Sequence, residues 1–264
     1  MKRFPFVKNN QSLIFFAGLA AAVVVTYLIG TNSAISAITS TWLWIMFVMV
    51  LFVLLASALC TDYWLFGWLI NEQKRVSLSR LQMFLWTIVV LSAFVTAVFA
   101  NLHFKHYGEA VAIAIPQELW LAMGISTTSL VGSALILETK KVKEPTEVKL
   151  KDLTDRAGVL DNRQDPPTLL DLIQGEEVAN RDMVDLTRLQ NLLFTFVLVG
   201  SYMASLGAMF TQLVTPAQGQ DIATNFPITA FPSLGSSAIA LLTISHAGYL
   251  AAKAIDNQPS KTNP

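Results

Sequence analysis

The sequence predicts an all-α transmembrane protein: a six-helix bundle with a parallel internal duplication of a two-helix unit. Three observations carry that expectation. The 264-residue chain is 53% hydrophobic and only 14% charged, against about 25% charged in an ordinary soluble domain, and its mean hydropathy is +0.52. Its charges are segregated: none lies between Lys8 and Asp62, Arg80 and Lys105, Glu118 and Glu138, Arg188 and Asp221, or Asp221 and Lys253. Finally, Ser77-Leu-Ser-Arg80-Leu-Gln82-Met-Phe-Leu-Trp-Thr87 returns as Asp185-Leu-Thr-Arg188-Leu-Gln190-Asn-Leu-Leu-Phe-Thr195, with six of eleven positions identical at an offset of 108.

Crossing a hydrocarbon core takes roughly 20 apolar helical residues. The first uncharged window holds two such spans, about 12–30 and 39–60, split at Gly30-Thr-Asn-Ser33. The first is longer than a usual signal-peptide core and is read as retained. Asp62 to Ile70 is dense in aromatics, as expected of a segment at the headgroup level, and Asn71 to Arg75 follows as a short basic turn. The remaining windows give one span each, about 82–101, 119–137, 190–213 and 235–254. These runs are too long and too uniformly apolar for barrel strands. The expected organisation is an N-terminal two-helix region 1–70, a first repeat 71–137, a charged loop 138–180, a second repeat 181–256 and a tail 257–264. Within the polar stretch, Asp165-Pro-Pro to Gly175 reads as a short helix with Asp165 as cap and Gly175 as stop. A loop of this size cannot build its own core, so it is expected to dock on the membrane or on a partner, or to stay mobile.

Orientation follows from the basic residues. With the N-terminus in the cytoplasm, every Lys and Arg except Lys105 falls on the cytoplasmic side, as the positive-inside rule asks. Both termini and the charged loop are therefore expected in the cytoplasm, with the lipid bilayer as the first partner. Net charge is zero and no basic stripe exists, which gives nucleic-acid binding no support. The single cysteine, Cys60, permits no intrachain disulfide and no cysteine-based metal cluster. No cofactor is implied.

Ser79-x-x-Gln82 and Thr187-x-x-Gln190 fit a capping box, in which hydroxyl and amide satisfy each other's backbone N–H groups. Taking Ser77 or Asp185 as the cap instead starts each helix two residues earlier. Arg80 and Arg188 then stand in a first turn, where a guanidinium snorkels to lipid phosphate. The functional alternative is a guanidinium ring at a pore mouth, or a dock for an acidic partner. Ser126, Gln212, Ser245 and His246 are the polar groups that would line a pathway. Ser245 and His246 are adjacent and point about 100° apart on a helix, and no Gly-x-Ser-x-Gly surrounds Ser126 or Ser245, so no catalytic residue is assigned. His103, His106 and Glu109 have helical spacing but include the turn signal Tyr107-Gly108, so they are read as an outer-loop cluster and not as a metal site. No Asp or Glu lies mid-span, which lowers the expectation of an ion-coupled transporter.

Arg80-Leu-Gln-x-x-x-Trp86-Thr87 with Gly124-Ile-Ser126 resembles uncharacterised bacterial multi-pass membrane proteins built from two-helix repeats. Asp171-Leu-Ile ahead of Asp185-Leu-Thr-Arg-Leu-Gln190 resembles the lead-in of such units. The second copy departs, with Phe194 for Trp and Thr243 for Gly. The likeness covers about 75–137 and 170–254; it implies a bacterial inner-membrane protein and no particular activity. The expected function is a non-enzymatic membrane scaffold or subunit, a homo-oligomer or part of a membrane complex, that recruits a partner through the 138–188 loop. The alternative is an oligomeric channel or small-solute transport protein.

Overall fold

A computed structural model describes residues 11–32, 38–61, 64–103, 107–141, 166–177, 180–212 and 227–255. Among these residues six α-helices form: α1 (Gln11–Asn32), α2 (Ile38–Cys60), α3 (Leu78–His103), α4 (Gln117–Lys141), α5 (Leu186–Gln212) and α6 (Ser236–Ala254). Two short 3-10 helices, Trp64–Leu69 and Leu169–Leu172, precede α3 and α5. Among the described residues there is no strand, only isolated bridges such as Ile70 with Val76, Ala114 with Ala230 and Gln174 with Val184.

Helices α2, α3, α4 and α5 are each long and apolar enough to cross a membrane; in α1 the apolar stretch is the shorter Phe15–Ile29. Helix α6 falls outside that set although its 19 residues suffice in length; Ser236, Ser237, Thr243, Ser245, His246 and Lys253 dilute its apolar character. The side chains are distributed as in a membrane protein. Phe16, Trp44, Phe47, Trp120, Leu135, Phe196, Val197 and Ile244 are all more than half exposed, while Ser79, Gln82, Ser92, Thr96, Asn101, Ser126, Ser129, Asn191 and Thr195 are fully buried. In water that inversion is costly; in lipid, where apolar tails cover the outside, it is the expected arrangement. Four membrane-capable helices and this inversion make the chain a multi-pass membrane protein.

The helix starts correct the expected boundaries. α3 begins at Leu78 and α5 at Leu186, each about four residues before the expected 82 and 190. The caps are the earlier candidates. The Asp185 carboxylate accepts from the N–H groups of Thr187 (2.9 Å) and Arg188 (3.3 Å), and Ser77 Oγ accepts from Arg80 N–H at 3.5 Å. Neither glutamine closes a capping box. α4 runs on to Lys141, so the loop expected from 138 opens about four residues later. The helix expected over 165–175 is a single 3-10 turn beginning after Thr168, because the carboxylate of Asp171 takes the Thr168 N–H at 3.0 Å and closes the turn there. Residues 142–165, with Asp165, lie outside the described residues, as do His106 and the tail 257–264.

The chain divides into two compact units: Met1–Trp68 with Leu85–Trp120 and Val199–Leu234, and Leu69–Phe84 with Leu121–Leu198 and Gly235–Pro264. In the first, Trp42 Nε1 donates to Ser92 Oγ at 3.0 Å and its ring lies 5.5 Å from that of Phe210. Asn101, fully buried, clamps the connections ahead of α4 and α6. Its Oδ1 accepts from Ile228 N–H (2.7 Å), and its Nδ2 donates to the carbonyls of Ile228 (3.0 Å) and Ala110 (3.3 Å). Ala114 and Ala230 bridge beside it.

Candidate functional site

The charged and polar groups most in need of explanation lie in the second unit. It begins with a hairpin turn bridged at Ile70 and Val76. Asn71 organises it: its Oδ1 accepts from Gln73 N–H and Arg75 N–H, both at 3.0 Å. Lys74 closes the turn at φ 60°, a left-handed conformation usually left to glycine. Arg75 then reaches out, its Nη1 donating to Gly175 O at 2.6 Å and its Nε lying 3.9 Å from Asp171. Asp171 also accepts from Val76 N–H at 3.3 Å.

A second hairpin, bridged at Gln174 and Val184, stands ahead of α5. At Gly175 a Cβ would collide with the Asn180 amide, so a larger residue would force that side chain to move and lose the bond its Oδ1 accepts from Glu177 N–H at 3.1 Å. The tight turn delivers two adjacent carboxylates to the ends of three helices. Glu176 pairs with Arg188 of α5 at 2.9 Å and with Lys253 of α6 at 2.5 Å. Glu177 pairs with Lys140 of α4, which also donates to Ile255 O at 3.1 Å. Arg188 Nε donates to Leu172 O at 3.3 Å, and Lys253 donates to Ser133 Oγ at 2.5 Å. The Tyr249 ring faces both cations, its centroid 5.9 Å from the Arg188 guanidinium and 5.6 Å from the Lys253 ammonium. The ionic side chains of this cluster are 3–10% exposed. Burial alone would raise the Glu176 carboxyl; the Lys253 ammonium and the Arg188 guanidinium outweigh it and bring it from 4.5 down to about 2. Three cations on three helices are thus clasped by two acids on one loop.

Toward the middle of the same unit lies a neutral polar cluster. Gln82 Nε2 donates to Asn191 Oδ1 (2.9 Å) and to Thr195 Oγ1 (2.7 Å), and Ser245 Oγ donates to Asn191 Oδ1 at 3.0 Å. Ser79 and Ser129 meet at 3.3 Å. Gln82 Oε1, Asn191 Nδ2 and both ring nitrogens of His246 have no hydrogen-bond partner among the described residues.

These positions separate residues that the repeat treats as equivalent. Arg188 is buried in an ion pair and does not reach out to headgroups; Arg80 is half-exposed. Gln82 is buried and Gln190 exposed. The reason is a shift of burial register. The buried residues of α5 are Arg188, Asn191, Thr195, Leu198, Val199, Tyr202, Leu206 and Phe210; each falls 109 residues after a buried residue of α3, namely Ser79, Gln82, Trp86, Val89, Val90, Ala93, Ala97 and Asn101. The sequence identity runs at 108. One residue turns a helix by about 100°, so the shared Arg-Leu-Gln points differently in the two helices, and Asn191 takes the place of Gln82. Of the pathway candidates, Ser126 and Ser245 are buried and hydrogen-bonded, to Ala122 O and Asn191 respectively, and His246 is buried. These three belong to the second unit, while Gln212 is exposed and belongs to the first. The acids Glu176 and Glu177, and their partners Lys140 and Lys253, were not singled out from sequence. The available signal was opposite charge immediately flanking three different spans. Comparison with protein-family models, with characterised proteins and with solved structures finds no match.

Proposed function

We propose that this chain is a non-enzymatic membrane scaffold or subunit that recruits a partner through its 138–188 loop, in a bacterial inner membrane with both termini cytoplasmic. The carrying observation is the ionic clasp. It fixes the end of the loop on three helices, and the segment so fixed displays Leu169, Leu170, Met183 and Val184, each more than half exposed. A loop without a function has no need of so stiff a base. The basic bias of the flanks supports the orientation, and the resemblance of the Arg-Leu-Gln motifs supports the bacterial origin. Parallel duplication of a two-helix unit is supported by the recurring order of 3-10 helix, bridged hairpin, long helix, bridged connection and helix. Photo-crosslinking in cells tests the reading, with the reactive residue at Leu170 or Met183 and Phe196 as a control. Discrete protein adducts are expected at the two loop positions and not at Phe196. Lipid adducts alone at all three positions would reject recruitment.

The second reading, a channel or small-solute transport protein working as an oligomer, is favoured by the buried polar cluster around Asn191 and by the unpartnered His246. Solute flux in vesicles reconstituted with wild type and with His246→Leu tests it; equal flux in both, at the level of empty vesicles, would remove it.

A further inference from the structure

Arg80 takes no part in the ionic clasp. It stands in the first turn of α3, half-exposed, with no acidic partner among the described residues. It lines a cleft with Asn71, Glu72, Gln73 and Ser77 of the first hairpin and helix start, and with Leu130, Ser133, Ala134 and Leu137 of α4, where Ser133 already accepts from Lys253. One member of that lining is anomalous. Gln73 is only 3% exposed, yet neither its Nε2 nor its Oε1 has a hydrogen-bond partner among the described residues. A buried amide left unmet costs about 1–3 kcal/mol, and a ligand that both accepts and donates would meet it.

We propose that this cleft binds the phosphate and the donor-bearing headgroup of a glycerophospholipid. Three polar members of the lining and its apolar side have matching parts of the ligand. The Arg80 guanidinium offers a charged fork to phosphate oxygens. Ser77 Oγ accepts from Arg80 N–H, which leaves its own proton to donate. The Gln73 amide N–H groups complete the phosphate contacts, and its carbonyl takes a headgroup hydroxyl or ammonium. The N-terminal end of a 26-residue helix adds a favourable dipole. Glu72 is the acid in this lining; it is exposed, and it opposes a bare anion more than a headgroup that carries donors. The apolar wall on α4 continues outward through Val131 and Leu135, 53% and 63% exposed, a surface for acyl chains. A ligand polar at one end and hydrocarbon at the other fits a cleft built the same way. The proposal does not depend on partner recruitment.

The test uses the full chain purified in a neutral detergent and stripped of lipid. Binding is followed by native mass spectrometry and by thermal stability, with phosphatidylglycerol, phosphatidylcholine or inorganic phosphate added. Wild type is expected to bind phosphatidylglycerol better than phosphatidylcholine, which has no headgroup donor. Arg80→Gln should weaken that binding roughly tenfold or more, the scale of one charge-assisted bond. Gln73→Leu should abolish the preference between the two lipids. Arg80→Gln changes a half-exposed residue and keeps the test open if Gln73→Leu fails to fold. Arg80-dependent binding of inorganic phosphate alone would place the source in solution and overturn the lipid assignment. Equal phosphatidylglycerol binding by wild type and Arg80→Gln would overturn the site.

Discussion

Replacing Glu176 by Gln removes the single charge that holds two cations. Arg188 and Lys253 then remain 3% and 7% exposed without their carboxylate. Breaking a buried pair on one side typically costs about 3–5 kcal/mol, because the surviving charge is left uncompensated. A second route reaches a similar size. The Glu176 carboxyl stands at about 2 against 4.5, and one unit is about 1.4 kcal/mol, which gives about 3 kcal/mol. The sign is set by the direction of the shift. A carboxyl lowered in the folded state stabilises fully above its unfolded value of 4.5 and loses that contribution as pH falls toward about 2. Thermal unfolding of the detergent-solubilised protein from pH 7 down to 3 is the assay. Wild type should be more stable than Glu176→Gln at pH 7, and the gap should narrow below pH 4.5. A double substitution with Lys253→Met should recover part of the loss by removing one orphaned cation. A difference under about 1 kcal/mol at pH 7, the scale of an exposed ion pair, or a gap that does not change with pH, would refute the clasp.

The two repeat arginines should respond differently to the same change. Arg188→Lys cannot keep both the Nε bond to Leu172 O and the Nη1 contact with Glu176, and should lower the unfolding temperature clearly, while Arg80→Lys should shift stability by about 0.5 kcal/mol or less. Asn191→Ala strands the donors of Gln82 and Ser245; at roughly 0.6 kcal/mol per bond between membrane helices a loss of about 1 kcal/mol is expected in the same melts. Lys74→Gly relieves a residue at φ 60° and should stabilise by about 0.5–1 kcal/mol; any destabilisation would contradict the turn. For orientation, Asp182→Cys in a Cys60→Ser background should resist labelling from outside intact cells, and external labelling would invert the assigned topology.

How much of this was legible in the sequence depended on which physical effect wrote each feature. Gaps in charge follow directly from the cost of ions in hydrocarbon, so all six helices were locatable from composition. Their ends were less so. Ser77 competes with Ser79 and Asp185 with Thr187, and the cap is chosen by the hairpin that precedes it, not by the helix. The 3-10 turn at Leu169–Leu172 was misread because Pro166 and Gly175 are genuine start and stop signals, whereas Asp171, through its bonds to Thr168 N–H and Val76 N–H, decides the local geometry from a distant part of the chain. The ionic clasp has the same origin. Nothing local ties Glu176 to Lys253 or Glu177 to Lys140; the pairing exists only once three helix ends have come together.

The one-residue difference between sequence register and burial register carries the argument furthest. A motif match at 108 invites the inference that Arg80 and Arg188 do one job, and likewise Gln82 and Gln190. Burial at 109 assigns them different jobs. Arg188 turns inward and needs a carboxylate, which the second hairpin supplies through Glu176. Arg80 turns outward beside the first hairpin, where the corresponding groups are the neutral Gln73 and the exposed Glu72. The first hairpin therefore has no buried acid to offer, and its arginine remains available to a ligand. Exchanging the two environments is a direct check. Gln73→Glu places a carboxylate in the lining of the Arg80 cleft, and it should raise stability if Arg80 can fold onto it, while removing the proposed headgroup binding. Stabilisation with binding intact would mean that Arg80 and the lipid do not compete, and the cleft would have to lie elsewhere.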